Sequence, residues 1–332
     1  MQNNARPVKG ALLWVGAIAL GLLSGCAINM KVPLKDPAPS TAPYAKQAPV
    51  APTSLSFKDE RPTADRGKLM TGFVPMQLMY KDKPFDPVPY VAENTVKELT
   101  ARGIPVQLAA DGKGAQAVGV KYMHIELHRA SGFSPFVTFT SLRADIDTPQ
   151  GPQRVTAYVK RGKVPVWTFD EIIDPTFNEP MSILTKELAA KINQRVYGQA
   201  ATDDQVAGWV ANINKNGTTQ EAVYHDVYQL GFGNNPKAVP ELVKLTKHSA
   251  EYIRLAAISS LGILRANDQF GLLKSLFEDK TVIWQDRAMA LKAIGDLGSA
   301  ESRDYLQKEW KRVENLSDKE SAWNKEIIGL YL

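Results

Sequence analysis

Hydrophobic and polar positions divide the chain into four stretches, each with its own rhythm. The first is an unbroken apolar run, "ALLWVGAIALGLLSG", from Ala11 to Gly25. Its fifteen residues fall short of the roughly 20 that a membrane-spanning helix needs. The second, "AINMKVPLKDPAPSTAPYAKQAPVAP", has no period, and proline recurs at 33, 37, 39, 43, 49 and 52. Proline fixes φ and donates no hydrogen bond, so residues 26–52 read as a semi-extended tether, with room for a short strand inside "INMKVPL".

The third stretch, 53–200, alternates between strand and helix patterns. "TSLSFKDERP" reads as a short strand ending in charged turn residues. Val91, Val96, Leu99 and Thr100 stand at helical spacing within 87–102, and Gly103 follows as a stop. "IPVQLA", "AQAVGVKYMHIEL", "PFVTFTSLRADID", "QRVTAYVKR" and "VPVWTF" read as strands separated by Gly and Pro turns. A last helix is predicted from about Thr176 to Tyr197. This order predicts an α+β domain: an antiparallel sheet with two helices on one face.

In the fourth stretch, 201–332, strand patterns vanish and the sequence repeats. "YIRLAAISSLGIL" aligns with "WQDRAMALKAIGDL" at an offset of 33: Arg254 with Arg287, Ala257 with Ala290, Gly262 with Gly295. Aliphatic–Gly pairs end at Gly231, Gly262, Gly295 and Gly329, spaced 31, 33 and 34 residues apart. A second apolar-periodic segment precedes each mark, so about four helix pairs are expected. No single pair can bury its apolar face, but stacked pairs can share a core. The pattern Arg-x-x-Ala-x-x-x-aliphatic-Gly resembles the second helix of short bacterial HEAT-type repeats. That resemblance implies an all-α solenoid serving as a protein-binding scaffold. The first and fourth units depart from the pattern, as capping units do.

The start of the chain carries Arg6 and Lys9 and no acid, then the short apolar run, then Leu23-Ser24-Gly25-Cys26. A positive start and a short apolar middle describe a secretory signal. The last four residues resemble the lipobox of bacterial lipoproteins. The resemblance implies cleavage between Gly25 and Cys26, and Cys26 as the lipidated N-terminus of the mature chain. With Ala27 rather than Asp next, it implies export to the outer membrane, facing the periplasm. Cys26 is the only cysteine, so thiol catalysis and thiolate metal sites are excluded. The order of elements in 53–200, with "SFKDERP" before the first helix, is similar to the YajG type of envelope lipoprotein domain, an adapter.

Charge changes the picture little. Without Arg6 and Lys9, 38 of the 40 Lys+Arg remain against 35 Asp+Glu, a net of +3 with no dense basic cluster. Nucleic acid is therefore not an expected partner. The stretch most suggestive of chemistry is "HIELH". In a strand, His124, Glu126 and His128 share a face, and the two imidazoles stand about 13 Å apart, too far for one metal. This is expected to be the wet face, with Met123, Ile125 and Leu127 turned to the core.

The reading that follows is a non-enzymatic lipoprotein with no cofactor, the membrane as one partner and a periplasmic or envelope protein as the other. The rival readings are an enzyme or lyase-like accessory using His124, Glu126, His128, Asp170 and Glu171, and a module binding a glycan or lipid.

Overall fold

The computed structural model describes residues 30–45, 50–73, 76–110, 112–130, 134–164, 168–216 and 220–332. Gly25 and Cys26 lie outside these residues. No helix among the described residues is long and apolar enough to cross a membrane.

Two sheets form. In the smaller one, β1 (Met30–Leu34) pairs in parallel with β4 (Met76–Tyr80), which pairs with the two-residue β5 (Lys83–Pro84). In the larger one the order is β6 (Val106–Leu108), β2 (Thr53–Asp59), β7 (Gln116–His128), β8 (Phe136–Ile146), β9 (Gln153–Lys163), and β3 (Met70–Gly72) also pairs with β7. The strands β7, β8 and β9 form the expected antiparallel meander. The expectation of a wholly antiparallel sheet is corrected at β2, which runs parallel to both β6 and β7. Helix α1 (Pro87–Ala101) lies between β2 and β6 in the chain, and a helical crossover returns the chain in the same direction.

The alternation in β7 slips by one residue midway, and a bulge at Lys121 absorbs it. Val118 and Val120 before the bulge, and Met123, Ile125 and Leu127 after it, therefore share one face, all at most 3% exposed. Helices α1 and α2 (Glu179–Ile192) cover that side. The predicted start near Thr176 falls inside a longer helical stretch from Asp170 to Tyr197, in which π turns flank α2. Pro175 lies in the first of these turns, where its missing N–H cannot continue the α-helical ladder. Gly198, at φ +65°, ends the stretch.

Residues 30–45 are not a free tether. Val32 and Leu34 are buried in β1, Ser40 bonds through its N and Oγ to Glu98, and the Tyr44 hydroxyl donates to the Phe232 carbonyl at 2.8 Å. The prolines predicted extension correctly, but alternating apolar residues and one tyrosine attach the extended segment to the fold.

Residues 203–329 form four helix pairs: α3 (Asp203–Asn216) with α4 (Gln220–Phe232), α5 (Val239–Leu245) with α6 (Glu251–Ile263), α7 (Phe270–Glu278) with α8 (Trp284–Leu297), and α9 (Ala300–Val313) with α10 (Lys319–Gly329). The second helices stack in order, α4 on α6 on α8 on α10. The recurring glycines explain how. A Cβ on Gly262 would lie 2.6 Å from the Ala293 Cα, and one on Gly231 would meet Ser260 at 2.6 Å. Gly295 is likewise packed against the Tyr331 ring, whereas a Cβ on Gly329 would meet nothing within 4 Å. Glycine permits these close backbone approaches, which any side chain would prevent.

Candidate functional site

The helix pairs do not stand apart from the sheet. The last two second helices, α8 and α10, lie on the sheet face opposite α1 and α2, giving three layers with the sheet in the middle. Register places Tyr122, His124, Glu126, Phe139, Ser141, Arg143, Thr156, Tyr158 and Lys160 on this second face. Phe139 meets Trp284 edge-on at 5.6 Å and Trp323 at 5.0 Å, and the two tryptophans touch each other at 4.3 Å. Around this aromatic centre runs a polar rim: Trp323 Nε1 donates to Glu126 at 2.9 Å, and Arg143 to the Gly329 carbonyl at 3.0 Å. At the β9 edge, Lys160 bonds to Glu251, and the Arg161 guanidinium sits over the Tyr224 and Tyr252 rings at 4.4 and 4.1 Å.

His124, Glu126 and His128 were expected on a wet face; they are in this interface instead. A strand face that alternates polar residues reads the same whether water or another layer covers it, and only the fold supplies α10. Glu326 of α10 is the convergence point. It accepts from Ser141 Oγ at 2.8 Å and Tyr122 at 3.2 Å, and meets His124 Nδ1 at 3.1 Å. On the other side of the ring, His124 Nε2 lies 2.8 Å from Thr71 Oγ1. A hydroxyl, an imidazole and a carboxylate thus form one chain, beside a depression of about 200 Å³ lined in part by Arg61, Lys68 and Lys121.

Burial alone would depress the His124 pKa, but the hydrogen bond and charge of Glu326, with Glu126 behind, raise it on balance. Burial pushes Glu326 up, and His124 with its two hydroxyl donors more than reverses that, leaving it lowered. His128 is separate: it meets Lys319 Nζ at 2.7 Å, and burial and that ammonium lower its pKa. Among the described residues no His, Asp or Glu group is arranged to hold a metal ion. Asp170 and Glu171 open the helical stretch after β9; Glu171 accepts from the Thr168 backbone. No hydrogen bond or ion pair among the described residues joins either to His124.

The repeat arginines tie consecutive pairs together. Arg254 bonds to Asp286 at 2.7 Å and to the His248 carbonyl at 2.9 Å; Arg287 bonds to Glu320 and to the Val282 carbonyl at 2.9 Å. Ala257 and Ala290 are fully buried in the stacked row.

One cluster had no signal in the sequence. Glu187 and Lys191 of α2 meet Lys292 and Asp296 of α8 in a buried quartet. Lys292 lies 2.6 Å from Glu187 and 2.8 Å from Asp296, and Lys191 lies 2.6 Å from Glu187. Thr156 and Tyr331 donate to Asp296, and Lys292 donates to Ser259 Oγ. Two positive and two negative charges cancel. Burial lowers Lys191, whereas at Lys292 the two carboxylates overcome burial and raise it. An i,i+4 Glu–Lys pair on α2 and an i,i+4 Lys–Asp pair on α8 look like ordinary surface pairs in sequence. Only docking of the two helices shows that they neutralise each other.

No protein-family model matches the chain, and no curated protein matches it. Among solved structures, one titled "Crystal structure of uncharacterized protein" is similar at 11% identity, covering 48% of this chain and 99% of that one, with a TM-score of 0.27. A likeness that low carries no argument about fold or function.

Proposed function

We propose that the protein is an outer-membrane lipoprotein, anchored through Cys26, that acts in the periplasm as a non-enzymatic adapter. In this reading the four helix pairs form a short HEAT-like α-solenoid that docks an envelope protein, and the anchor raises the local concentration of that partner. The observation that carries it is the close packing at Gly231, Gly262 and Gly295, spaced 31 and 33 residues apart along the row of second helices, with Arg254 and Arg287 each reaching an acid of the next pair. Because the sheet covers α8 and α10, docking falls to the first helices and the turns beside them. There, Ile283 and Leu316, 33 residues apart, are 45% and 42% exposed. Apolar residues exposed at a repeated position suit a partner surface.

Two experiments test the halves of this reading separately. Replacing Cys26 by Ala releases the protein from the membrane fraction; unchanged fractionation overturns the anchor. Envelope crosslinking of the double variant Ile283→Asp and Leu316→Asp loses the partner, and an unaltered partner set overturns the docking edge.

A second reading, hydrolysis at Thr71, is favoured by the Thr71–His124–Glu326 chain. In it, Thr71 Oγ1 attacks an ester carbonyl as its proton passes to His124 Nε2. The alcohol leaves with that proton, and water then hydrolyses the acyl-threonine. A fluorophosphonate probe would label the wild type but not Thr71→Val or His124→Gln; an unlabelled wild type ends this reading.

A further inference from the structure

A cavity of about 260 Å³ opens beside the buried quartet, where the start of β9 meets the C-terminal ends of α2, α6 and α8. Arg154, Arg195, Arg265 and Arg303 line it, with Lys191 and a single acid, Asp296, among the lining residues. Asp296 is already engaged by Lys191 and Lys292. Arg154 lies 3.6 Å from Asp145. The other three arginines have no such partner: among the described residues, no carboxylate lies within 4.0 Å of Arg195, Arg265 or Arg303. Arg195 and Arg265 are half-buried and Arg303 is exposed. The fully buried arginines are each matched by an acid, Arg61 by Asp59, Arg102 by Glu98, Arg161 by Glu179 and Arg287 by Glu320. Burial and the neighbouring guanidiniums also lower the pKa of both Arg195 and Arg265, so the like charges feel one another.

Part of this set has an internal use. Arg265 Nε donates to the Leu297 carbonyl at 3.1 Å and Arg303 to the Gly298 carbonyl at 2.7 Å, which caps the end of α8. Capping does not account for the rest. Arg195 Nε is buried with no partner at all. The backbone adds an independent sign. Asn234, Arg265 and Gly298 each follow a second helix, at intervals of 31 and 33 residues, and all have positive φ: +51°, +54° and +65°. Asn and Gly are the residues that tolerate that left-handed conformation at a helix end. Arginine does not favour it, and strained backbone of this kind persists where a site requires a particular side chain. Gly298 makes room for it, since a Cβ there would lie 3.3 Å from an Arg265 guanidinium nitrogen.

We propose that this cavity binds a phosphate group, held by Arg195, Arg265 and Arg303. Guanidinium forks suit carboxylate and phosphate oxygens alike. Three forks converging from three different elements need more acceptors than the two oxygens of a carboxylate, and a tetrahedral phosphate provides them. The ligand would neutralise the gathered positive charge and bridge the ends of α2 and α6 with α9 at one point. The source is either free inorganic phosphate or a small phosphomonoester.

The test is isothermal titration of the full chain with inorganic phosphate, pyrophosphate and glycerol 3-phosphate, at fixed chloride. Saturable binding of at least one probe, weakened about tenfold or more in both Arg195→Gln and Arg265→Gly, supports the site. The tighter of phosphate and glycerol 3-phosphate identifies the source. Arg265→Gly separates binding from folding, because glycine suits φ +54°. Relief of the strained φ offsets the lost bond to the Leu297 carbonyl, so this variant stays folded with a thermal midpoint near the wild type's while it loses binding. Absence of saturable binding by all three probes at millimolar concentration overturns the proposal. So does binding that both variants retain.

Discussion

The two faces of the central sheet are built on different principles. One carries Val118, Val120, Met123, Ile125, Leu127, Leu142 and Ile146, and packs on α1 and α2 mainly by apolar contact, with polar bonds only at its end, where Thr138 meets the Thr176 carbonyl and Arg161 meets Glu179. The other carries His124, Glu126, Ser141, Arg143 and Thr156 around a small aromatic centre, and meets α10, and through Thr156 also Asp296 of α8, by directed hydrogen bonds. The difference is one of geometry tolerance. An apolar face can accept any layer of suitable volume, while a polar face satisfies its groups only in one register. The first holds the domain together; the second fixes where the helix pairs sit on it.

The largest expected effect lies where the two systems meet. Lys292→Ala leaves Glu187 and Asp296 buried with one ammonium between them, and costs about 3–5 kcal/mol in denaturant unfolding. On the apolar face, Ile125→Ala costs about 2–5 kcal/mol by the same measurement, because a well-packed core cannot collapse onto the void. Within the helix stack, Gly262→Ala costs about 1–3 kcal/mol, since its Cβ meets backbone of Ala293 that cannot give way. The control is Gly329→Ala, with nothing within 4 Å, which leaves the unfolding midpoint unchanged or slightly higher. Equal losses at 262 and 329 would show that helix propensity, not close packing, explains the glycines.

Apart from that control, Glu326→Gln has the smallest effect, a loss of about 1 kcal/mol, and it depends on pH. The His124 pKa is raised, so its share of the pair's stability is complete below about 6.5 and fades as pH climbs through the higher folded value. The Glu326 pKa is lowered, so its share is present above about 4.5 and fades only in stronger acid. Thermal melts of wild type and variant should therefore differ most near pH 5–6 and converge as pH rises past neutral. A gap that stays constant across that range would mean the interface rests on hydroxyl bonds from Tyr122 and Ser141 alone. A gap as large as that of Ile125→Ala would erase the distinction between the two faces.

Much of the fold was legible because its causes are local. Pro87 after Asp86 starts α1, Gly198 stops the long helical stretch, and alternation predicted β7, β8 and β9. The 33-residue interval predicted four helix pairs. The errors have a common cause. A wet face and a tether were expected wherever polar or proline-rich sequence offered no apolar partner of its own, and in both places the partner lies far along the chain. Glu326 is 202 residues from His124, and Phe232 is 188 from Tyr44.

The sequence by itself determined the elements, their periodicity and the spacing of the glycines that allow stacking, because these follow from backbone sterics and nearest neighbours. Only the tertiary structure decided which charges meet. The quartet of Glu187, Lys191, Lys292 and Asp296, the Thr71–His124–Glu326 chain and the unmatched arginines at 195, 265 and 303 all depend on distances across the fold. Electrostatic and hydrogen-bond energies turn on ångströms and burial, and no linear pattern of residues encodes either.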